Sequence, residues 1–221
     1  MYAHHGFQNF ILCLGYRGNM IKEYFLNYEA MNNDFTVCLG KKNEIDYHSR
    51  HEEQDFRVTL ADTGAETMTG GRIKRIQHYI KRDTFMVTYG DGVSDVNISE
   101  LMKFHQSHGN VATVTAVQPI SRFGVLELNS HHVQKFAEKP QVEDYTSAGF
   151  FVFNRKMFDY IDDDPGCILE REPLEKAAQD QQLMAYKHPG FFFAMDTYRE
   201  YVYLNELWNS GQAPWATWQT R

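Results

Sequence analysis

Residues 84–94 read T-F-M-V-T-Y-G-D-G-V-S, and this stretch constrains the fold of the chain more than any other. Its apolar run at 85–87 is too short for a helix and indicates a buried strand. The strand leads into Gly90-Asp91-Gly92, which places one carboxylate between two glycines. In open α/β sheets ligands bind just past the carboxyl ends of strands, and a carboxylate there is a suitable ligand for a divalent cation. An ordinary strand-ending turn is the alternative, since Gly and Asp are common turn residues.

Strands and helices alternate along the rest of the chain. We predict strands at 6–14, 35–39, 56–61, 111–117, 148–153 and 190–196, a hairpin at 122–126 and 133–136, and helices at 20–28, 73–80, 98–108 and 198–208. Residues 159–185 are expected to be largely helical in two pieces, with Pro173 near the start of the second piece. The polar segment at 41–53 is expected to be an exposed excursion. This order predicts an α/β fold with a mostly parallel sheet and helices on both faces. Without repeats or linkers, we expect residues 1–221 to form a single domain.

Charge and cysteine content exclude several classes of partner. The net charge of -7 disfavours binding to nucleic acid or to an anionic membrane. The three cysteines are widely spaced and odd in number, which argues against a disulfide framework and fits a reducing cytoplasm. No apolar run approaches the length of a membrane span. We therefore expect a cytoplasmic protein with no nucleic acid and no membrane partner.

A second glycine-rich stretch, D-T-G-A-E-T-M-T-G-G-R at 62–72, precedes the predicted helix at 73–80. Thr69 is placed to cap that helix, with Gly70 and Gly71 at its opening. Backbone N–H groups at a helix start favour an anion, whereas the alternative is a flexible loop with a normal cap. The apolar run at 190–196 also ends in a single aspartate, Asp196, and so repeats the pattern of the central stretch.

Six motifs occur in an order that resembles the sugar-1-phosphate nucleotidyltransferase family, over about residues 6–218. They are T-Y-G-D-G at 88–92, D-T-G-x-x-T-M-T-G-G-R at 62–72, R-F-G at 122–124, E-K-P at 138–140, G-F-F-V at 149–152 and M-D-T at 195–197. The resemblance implies a Rossmann-like sheet of the nucleotide-diphospho-sugar transferase type. It is strongest to the cytidylyltransferase branch, which implies CTP and glucose 1-phosphate as substrates, Mg²⁺ as cofactor, and CDP-glucose and pyrophosphate as products. CDP-glucose is a precursor for deoxysugars of bacterial surface polysaccharide such as O-antigen.

The resemblance also implies roles for individual residues. Asp91 and Asp196 match the two carboxylates that hold Mg²⁺, and Lys139 matches the lysine that pairs with the sugar phosphate. Glu138 and Gly149 match sugar-binding positions, and Thr67, Arg72 and Gly90 match nucleotide-binding positions. Structural alternatives are Asp196 as a cap for the helix at 198–208, Lys139 as a solvated partner of Glu138, and Arg72 paired with a surface carboxylate.

The chain departs from the family pattern at two places. No G-G-x-G-T-R occurs in its 221 residues, although this family loop wraps the triphosphate. We therefore expect a nucleotidyltransferase domain that is N-terminally truncated, lacks its first strand and is impaired in activity. Three alternatives stay open. The missing segment is lost from the given sequence, or it is supplied by a separate chain. In the third alternative the protein is a non-catalytic remnant that binds sugar nucleotide or a partner subunit of a full-length homologue. At the second place, Ser147 replaces a family Asn, which leaves the identity of the sugar open. We also expect the protein to be a homo-oligomer.

Overall fold

The computed structural model describes residues 1–40, 44–48, 55–121 and 123–219. These residues form two compact units, each described by itself. The central unit comprises Arg82–Met157 and Leu174–Arg221 together with Met1, and the N-terminal unit comprises Tyr2–Lys81 and Phe158–Pro173. The expectation of one domain over residues 1–221 stays a prediction. Across the described ranges, no helix is both long and apolar enough to cross a membrane.

The N-terminal unit begins with a β-α unit. A short 3-10 turn (Tyr2–His5) precedes its elements, which are β1 (Asn9–Leu14), α1 (Gly18–Leu26), α2 (Tyr28–Asn32), β2 (Phe35–Val37), β3 (Ile45–Tyr47), β4 (Arg57–Asp62) and α3 (Thr69–Arg75). β1 and β4 pair in parallel, from Asn9 opposite Arg57 to Leu14 opposite Asp62. β2 and β3 form an antiparallel hairpin. β3 lies inside the predicted excursion at 41–53, where no strand was predicted, and residues 41–43 and 49–53 of that excursion lie outside the described residues.

The central unit contains the main sheet. Its elements are β5 (Thr84–Thr88), β6 (Gly92–Ser94), α4 (Ile98–His108), β7 (Ala112–Val117), β8 (Val125–Asn129), β9 (His132–Ala137), β10 (Thr146–Asn154), β11 (Leu183–Lys187), β12 (Phe192–Ala194) and α6 (Tyr198–Asn209). Two further elements cross the boundaries between the units: a 3-10 turn at Arg155–Asp159 and helix α5 (Glu172–Gln179). Four strands are ordered β11-β7-β10-β5, with β11 parallel to β7 and β10 antiparallel to both of its neighbours. Three of the four strands therefore run in one direction, and the predicted α/β fold is confirmed.

The core of the central unit is built on β10. Its residues Phe150, Phe151, Val152 and Phe153 are each at most 1% exposed. Burial of a side chain of this size contributes about 1.5–3 kcal/mol to the free energy of folding. Helix α4 buries Ile98 and Leu101 completely, with Asn97 as its N-cap. Consecutive side chains of a strand point to opposite faces, so β10 is buried on both faces, which accounts for its nearly continuous hydrophobic run.

The prediction that 159–185 is largely helical is wrong over most of its length, but the start of its second piece near Pro173 is confirmed by α5. Only α5 (Glu172–Gln179) is α-helical there, and Leu183–Lys187 forms the edge strand β11. Gln181 adopts a left-handed conformation with φ 58°, which ends the helix and redirects the chain into the sheet. Before α5, Pro165-Gly166 break the helical pattern, because proline and glycine disfavour a continuous helix.

Two histidines of α4 share one hydroxyl of β7. His105 Nδ1 and His108 Nε2 each lie 2.8 Å from Thr113 Oγ1. His105 is 4% exposed and Thr113 is fully buried. Burial, with a smaller contribution from the charge of His108, lowers the pKa of His105 to about 4. The folded state therefore favours neutral His105, and the two histidines pack against β7 instead of forming a solvated surface pair.

We expect the fold to lose stability as the pH falls from 6.5, the ordinary pKa of histidine, towards about 4, because the unfolded chain binds a proton that His105 in the folded state rejects. This component amounts to about 3 kcal/mol at most. Urea unfolding of wild type and His105→Gln across this range measures it, with the exposed His132→Gln as control. An identical pH dependence in wild type and His105→Gln would refute the assignment.

Candidate active site

The two predicted metal-binding aspartates lie at the same end of the β6–β12 pair. The strands are antiparallel, with Gly92 opposite Ala194. One step beyond, the Met195 N–H donates to the Asp91 carbonyl at 2.8 Å. This pairing brings together Asp91, which follows the central strand β5, and Asp196, which follows β12. Both aspartates are exposed, so their carboxylates are accessible to a ligand.

Asp196 is not the cap of helix α6, so that alternative is wrong. Thr197 is the N-cap, and its side chain accepts a hydrogen bond from the Glu200 N–H. In return the Glu200 carboxylate accepts from the N–H groups of Asp196 at 2.7 Å and Thr197 at 2.8 Å. This capping box fixes the backbone of Asp196 without using its carboxylate as the cap.

The two carboxylates are suitable ligands for a hard divalent cation, which prefers oxygen donors. Within the described ranges no group of three or more His, Cys, Asp or Glu side chains has the arrangement of a metal centre. A cation at Asp91 and Asp196 would therefore complete its coordination with oxygens from water or from a ligand such as a phosphate. Mg²⁺ commonly binds in this way, with one or two carboxylates and substrate phosphates.

The glycines on either side of this site have different surroundings. A Cβ at Gly90 would meet no heavy atom within 4 Å, so the backbone there is open to a ligand. Gly149 has φ +72°, and a Cβ on it would lie 2.5 Å from the Tyr89 ring. The glycine at 149 therefore makes room for Tyr89, whose hydroxyl is buried with no hydrogen-bond partner among the described residues. Sugar binding by Gly149 stays a prediction.

Glu138 and Lys139 lie just beyond strand β9, on an exposed turn. Lys139 has φ 47°, and its Nζ lies 3.9 Å from Glu138 Oε1. An exposed pair at this distance contributes little to stability, so both side chains are available to a ligand. A Cβ at Gly124, in the R-F-G motif, would lie 2.8 Å from the Phe136 ring and 3.2 Å from Glu138 Oε2, so a side chain there would have to displace the ring. Arg122 of that motif lies outside the described residues.

Thr67 and Arg72 lie in the N-terminal unit and have partners within it. Thr67 is 6% exposed, and its hydroxyl accepts a hydrogen bond from Arg75 at 2.9 Å. Arg72 donates to the Thr63 hydroxyl at 2.8 Å and to the Ala65 carbonyl at 3.2 Å. Neither partner is a carboxylate, so the predicted pairing of Arg72 with a surface carboxylate is wrong. Nucleotide binding by Thr67 and Arg72 stays a prediction, and the Thr67 hydroxyl is already engaged.

The predicted anion-binding helix start is filled by the chain itself. Helix α3 begins at Thr69 rather than at 73, and Met68 occupies the N-cap position without a side-chain hydrogen bond. The Met68 and Gly71 N–H groups donate to the carbonyls of Pro165 and Cys167. The Thr69 hydroxyl donates to Glu170 and accepts from the Leu169 N–H. The capping role predicted for Thr69 is therefore wrong, and the glycine-rich stretch packs against the loop at 164–170.

Cys13 lies near Arg72, at the end of strand β1. Burial raises the pKa of the Cys13 thiol to about 11, and the positive charge of Arg72 opposes this only in part. A thiol with this pKa is protonated at neutral pH, so Cys13 is not a nucleophile. Cys13, Cys38 and Cys167 are all free thiols.

Sequence reasoning missed two polar residues close to the β6–β12 pair. Asp95 Oδ1 lies 2.8 Å from His188 Nε2, and the histidine side chain is 10% exposed. It also missed a cavity of about 240 Å³, whose lining includes no predicted site residue. The cavity is lined by Gln118, Gln141, Tyr145, Lys187, His188, Pro189 and Gly190. Only the position of Asp95 soon after Gly90-Asp91-Gly92 offered a signal in the sequence.

Known proteins share sequence similarity with this chain over most of its length. A family model described as Nucleotidyl transferase matches residues 8–198. The glucose-1-phosphate cytidylyltransferase of Salmonella typhimurium is 46% identical over 221 residues, which cover 99% of this chain and 85% of the relative. The probable glucose-1-phosphate cytidylyltransferase of Bacillus subtilis is 39% identical over 218 residues, with coverage of 99% and 85%.

Solved structures share the fold at low sequence identity. HddC from Yersinia pseudotuberculosis, complexed with GMP-PN, has a TM-score of 0.64 at 18% identity and covers 94% of this chain and 81% of that chain. A UDP-glucose pyrophosphorylase complexed with UDP-glucose has a TM-score of 0.63 at 12% identity, with coverage of 95% and 84%.

We expect Gly149→Ala to destabilise the protein by about 1–3 kcal/mol, because the added methyl group meets the Tyr89 ring at a left-handed backbone position. Gly90→Ala is the matched variant, since its methyl group enters open space, and it should change stability by less than about 0.5 kcal/mol. Urea unfolding of both variants measures the difference. Equal effects on the free energy of unfolding would show that Tyr89 does not impose the glycine at 149.

Proposed function

Because the chain belongs to the nucleotidyl transferase family, we propose that it transfers a cytidylyl group from CTP to glucose 1-phosphate, giving CDP-glucose and pyrophosphate. The similarity to two cytidylyltransferases supports this choice of nucleotide and sugar phosphate. The structural observation that carries the proposal is the β6–β12 pair, which brings Asp91 and Asp196 together. A non-catalytic remnant has no observation of its own in its favour.

The reaction needs positioning and charge neutralisation more than covalent help from the protein. A phosphate oxygen of glucose 1-phosphate attacks the α-phosphorus of CTP, and pyrophosphate leaves with the electrons of the broken P–O bond. The reactants thus supply both the nucleophile and the leaving group. The protein must hold two polyanions close together in line, although its own net charge is -7.

The carboxylates of Asp91 and Asp196 would hold Mg²⁺, which fits their oxygen donors and exposed positions. When bound, Mg²⁺ neutralises phosphate charge and orients the oxygens that surround it. The two carboxylates stand on the ends of paired strands, so their backbone positions do not depend on a mobile loop. The Glu200 side chain fixes the Asp196 backbone through two hydrogen bonds.

Lys139 and Glu138 would receive the sugar phosphate. The exposed ammonium group of Lys139 neutralises the phosphate of glucose 1-phosphate through a charge-assisted hydrogen bond. The Glu138 carboxylate accepts hydrogen bonds from sugar hydroxyls. Gly90 lets the ligand approach the backbone, and Arg72 and Thr67 remain the proposed nucleotide contacts. Ser147 lacks the side-chain amide of the family Asn, so Glu138 is the side chain proposed to recognise the sugar.

We extend the proposal to a cytoplasmic location, a homo-oligomer and a role in supplying surface polysaccharide synthesis. Three free cysteines support a reducing compartment. Exposed apolar side chains on the β8–β9 hairpin support self-association, because such surface favours burial in a contact. They include Val125, Leu126, Leu128, Val133 and Phe136.

The purified chain should form CDP-glucose and pyrophosphate from CTP, glucose 1-phosphate and Mg²⁺. Asp91→Asn and Asp196→Asn should each lower the rate at least about 100-fold, because each removes a negative charge that would hold Mg²⁺, and Mg²⁺ neutralises the reacting phosphates. Mass spectrometry of CDP-glucose detects even a single turnover.

The exposed Asp144→Asn is the control and should retain the wild-type rate. Wild-type chain that forms no CDP-glucose, or Asp91→Asn that retains full turnover, would contradict the proposed function. Faster reaction with another nucleoside triphosphate would contradict the assignment of CTP.

Lys139→Met should raise the KM for glucose 1-phosphate by about 10- to 100-fold, because a hydrogen bond to a charged group is lost. The KM for CTP should stay unchanged, since Lys139 is proposed to contact only the sugar phosphate. Steady-state kinetics with each substrate varied in turn measures both values. Lys135→Met, on the same hairpin, is the matched control. A rise in the KM for CTP alone would reassign Lys139 to the nucleotide.

A further inference from the structure

Asp95 and His188 form a clamp at the end of the β6–β12 pair that lies opposite Asp91 and Asp196. Asp95 Oδ1 accepts hydrogen bonds from His188 Nε2 at 2.8 Å and from the Phe191 N–H at 2.7 Å. The Asp95 N–H donates back to the Phe191 carbonyl at 3.2 Å. The Ser94 hydroxyl donates to the same carbonyl at 2.7 Å. Residues 94–95 therefore hold the chain entering β12 through several hydrogen bonds.

His188 ties this clamp to the main sheet. Its N–H donates to the Ala116 carbonyl of β7 at 2.9 Å, one residue beyond the end of β11. The His188 side chain is 10% exposed and the Asp95 side chain 33% exposed, so their hydrogen bond is partly shielded from water. The His188–Asp95 contact thus connects the β6–β12 pair to the four-stranded sheet.

Gly190 shows how closely this clamp is packed. A Cβ at Gly190 would collide with Asp95 Oδ1 and would lie 2.7 Å from His188 Cε1. Any side chain at 190 must therefore push the carboxylate and the imidazole apart. Gly190 offers a way to break the clamp without removing either of its polar members.

We propose that the Asp95–His188 clamp is a positioning device that aligns β12 on β6 so that Asp91 and Asp196 face the same divalent cation. The inference rests on the proposed function. Each strand has three residues, and a pair this short is marginally stable by itself. Asp95 is four residues from Asp91, so at about 3.3 Å per residue the clamp acts on the carboxylates from roughly 13 Å away. In this role Asp95 and His188 act through the strand pair and are not ligands of the cation.

The variant Asp95→Asn distinguishes a positioning role of Asp95 from direct binding of the metal by its carboxylate. Asn keeps the Oδ1 acceptor for His188 and Phe191 but loses the negative charge that makes a carboxylate a much stronger ligand for a hard cation than a neutral amide. Asp95→Asn should therefore bind Mn²⁺ close to the wild-type affinity. Asp95→Ala and Gly190→Ala should weaken Mn²⁺ binding by about 10- to 100-fold, as is typical when the residues that orient metal ligands are lost.

Two measurements test the clamp without requiring turnover. Titration with Mn²⁺ alone, followed by the electron paramagnetic resonance of the free ion, gives the affinity of each variant. Hydrogen exchange with mass spectrometry reports protection of residues 191–196, which should fall in Asp95→Ala and Gly190→Ala and persist in Asp95→Asn. Glu100→Gln, an exposed carboxylate on α4, is the control and should match wild type. Circular dichroism confirms folding, and His188→Ala replaces any variant that fails to fold.

Equal loss of Mn²⁺ affinity in Asp95→Asn and Asp95→Ala would overturn the inference, because it would make Asp95 a ligand. Wild-type affinity and protection in Asp95→Ala, Gly190→Ala and His188→Ala would overturn it as well, as would a wild-type chain that binds no Mn²⁺. A wild-type chain that binds Mn²⁺ with the expected variant pattern but forms no CDP-glucose would support the clamp and refute only the proposed function.

Discussion

The hydrogen bond from the Met195 N–H to the Asp91 carbonyl extends the short ladder between β6 and β12, and the geometry of the candidate site depends on it. It joins the residue before Asp196 to Asp91, so two aspartates that are distant in the sequence directly flank a pair of strands. Strand-based sites hold their groups more precisely than loops do. On the Asp196 side the Thr197–Glu200 capping box secures the start of α6. On the other side, Asp91 lies in the short connection between β5 and β6, so regular structure restrains the backbone next to both aspartates.

The sequence predicted those parts of the fold whose signal is local. Helix α4 was predicted at its observed bounds, because a regular apolar spacing follows the Asn97 cap. Helix α6 was predicted to within one residue, because the apolar residues at 201, 204, 207 and 208 have helical spacing, although its Thr197–Glu200 capping box was not predicted. Strand β11 was missed because it is an edge strand at 183–187, and its pairing with β7 is a long-range contact that local periodicity does not report.

The residues of the candidate site were likewise predicted only where their signal in the sequence is local. Asp91 and Asp196 stood out because each follows an apolar run, and the structure brings them together. Gly149 was noticed in its sequence motif, but the sequence did not show why a glycine is needed there. The Tyr89 ring occupies the space where a side chain would lie. The contact between Asp95 and His188 was equally invisible, because nothing near either residue in the sequence indicates the other.

The most direct test of this account is the position of a bound cation. Crystals grown with CDP-glucose and Mn²⁺ would locate the ion by its anomalous scattering. We predict a peak coordinated by carboxylate oxygens of both Asp91 and Asp196, with the remaining ligands from the nucleotide sugar and water. An ion bound elsewhere, or bound by only one of these aspartates, would contradict the claim that the β6–β12 pair exists to bring the two carboxylates to one metal.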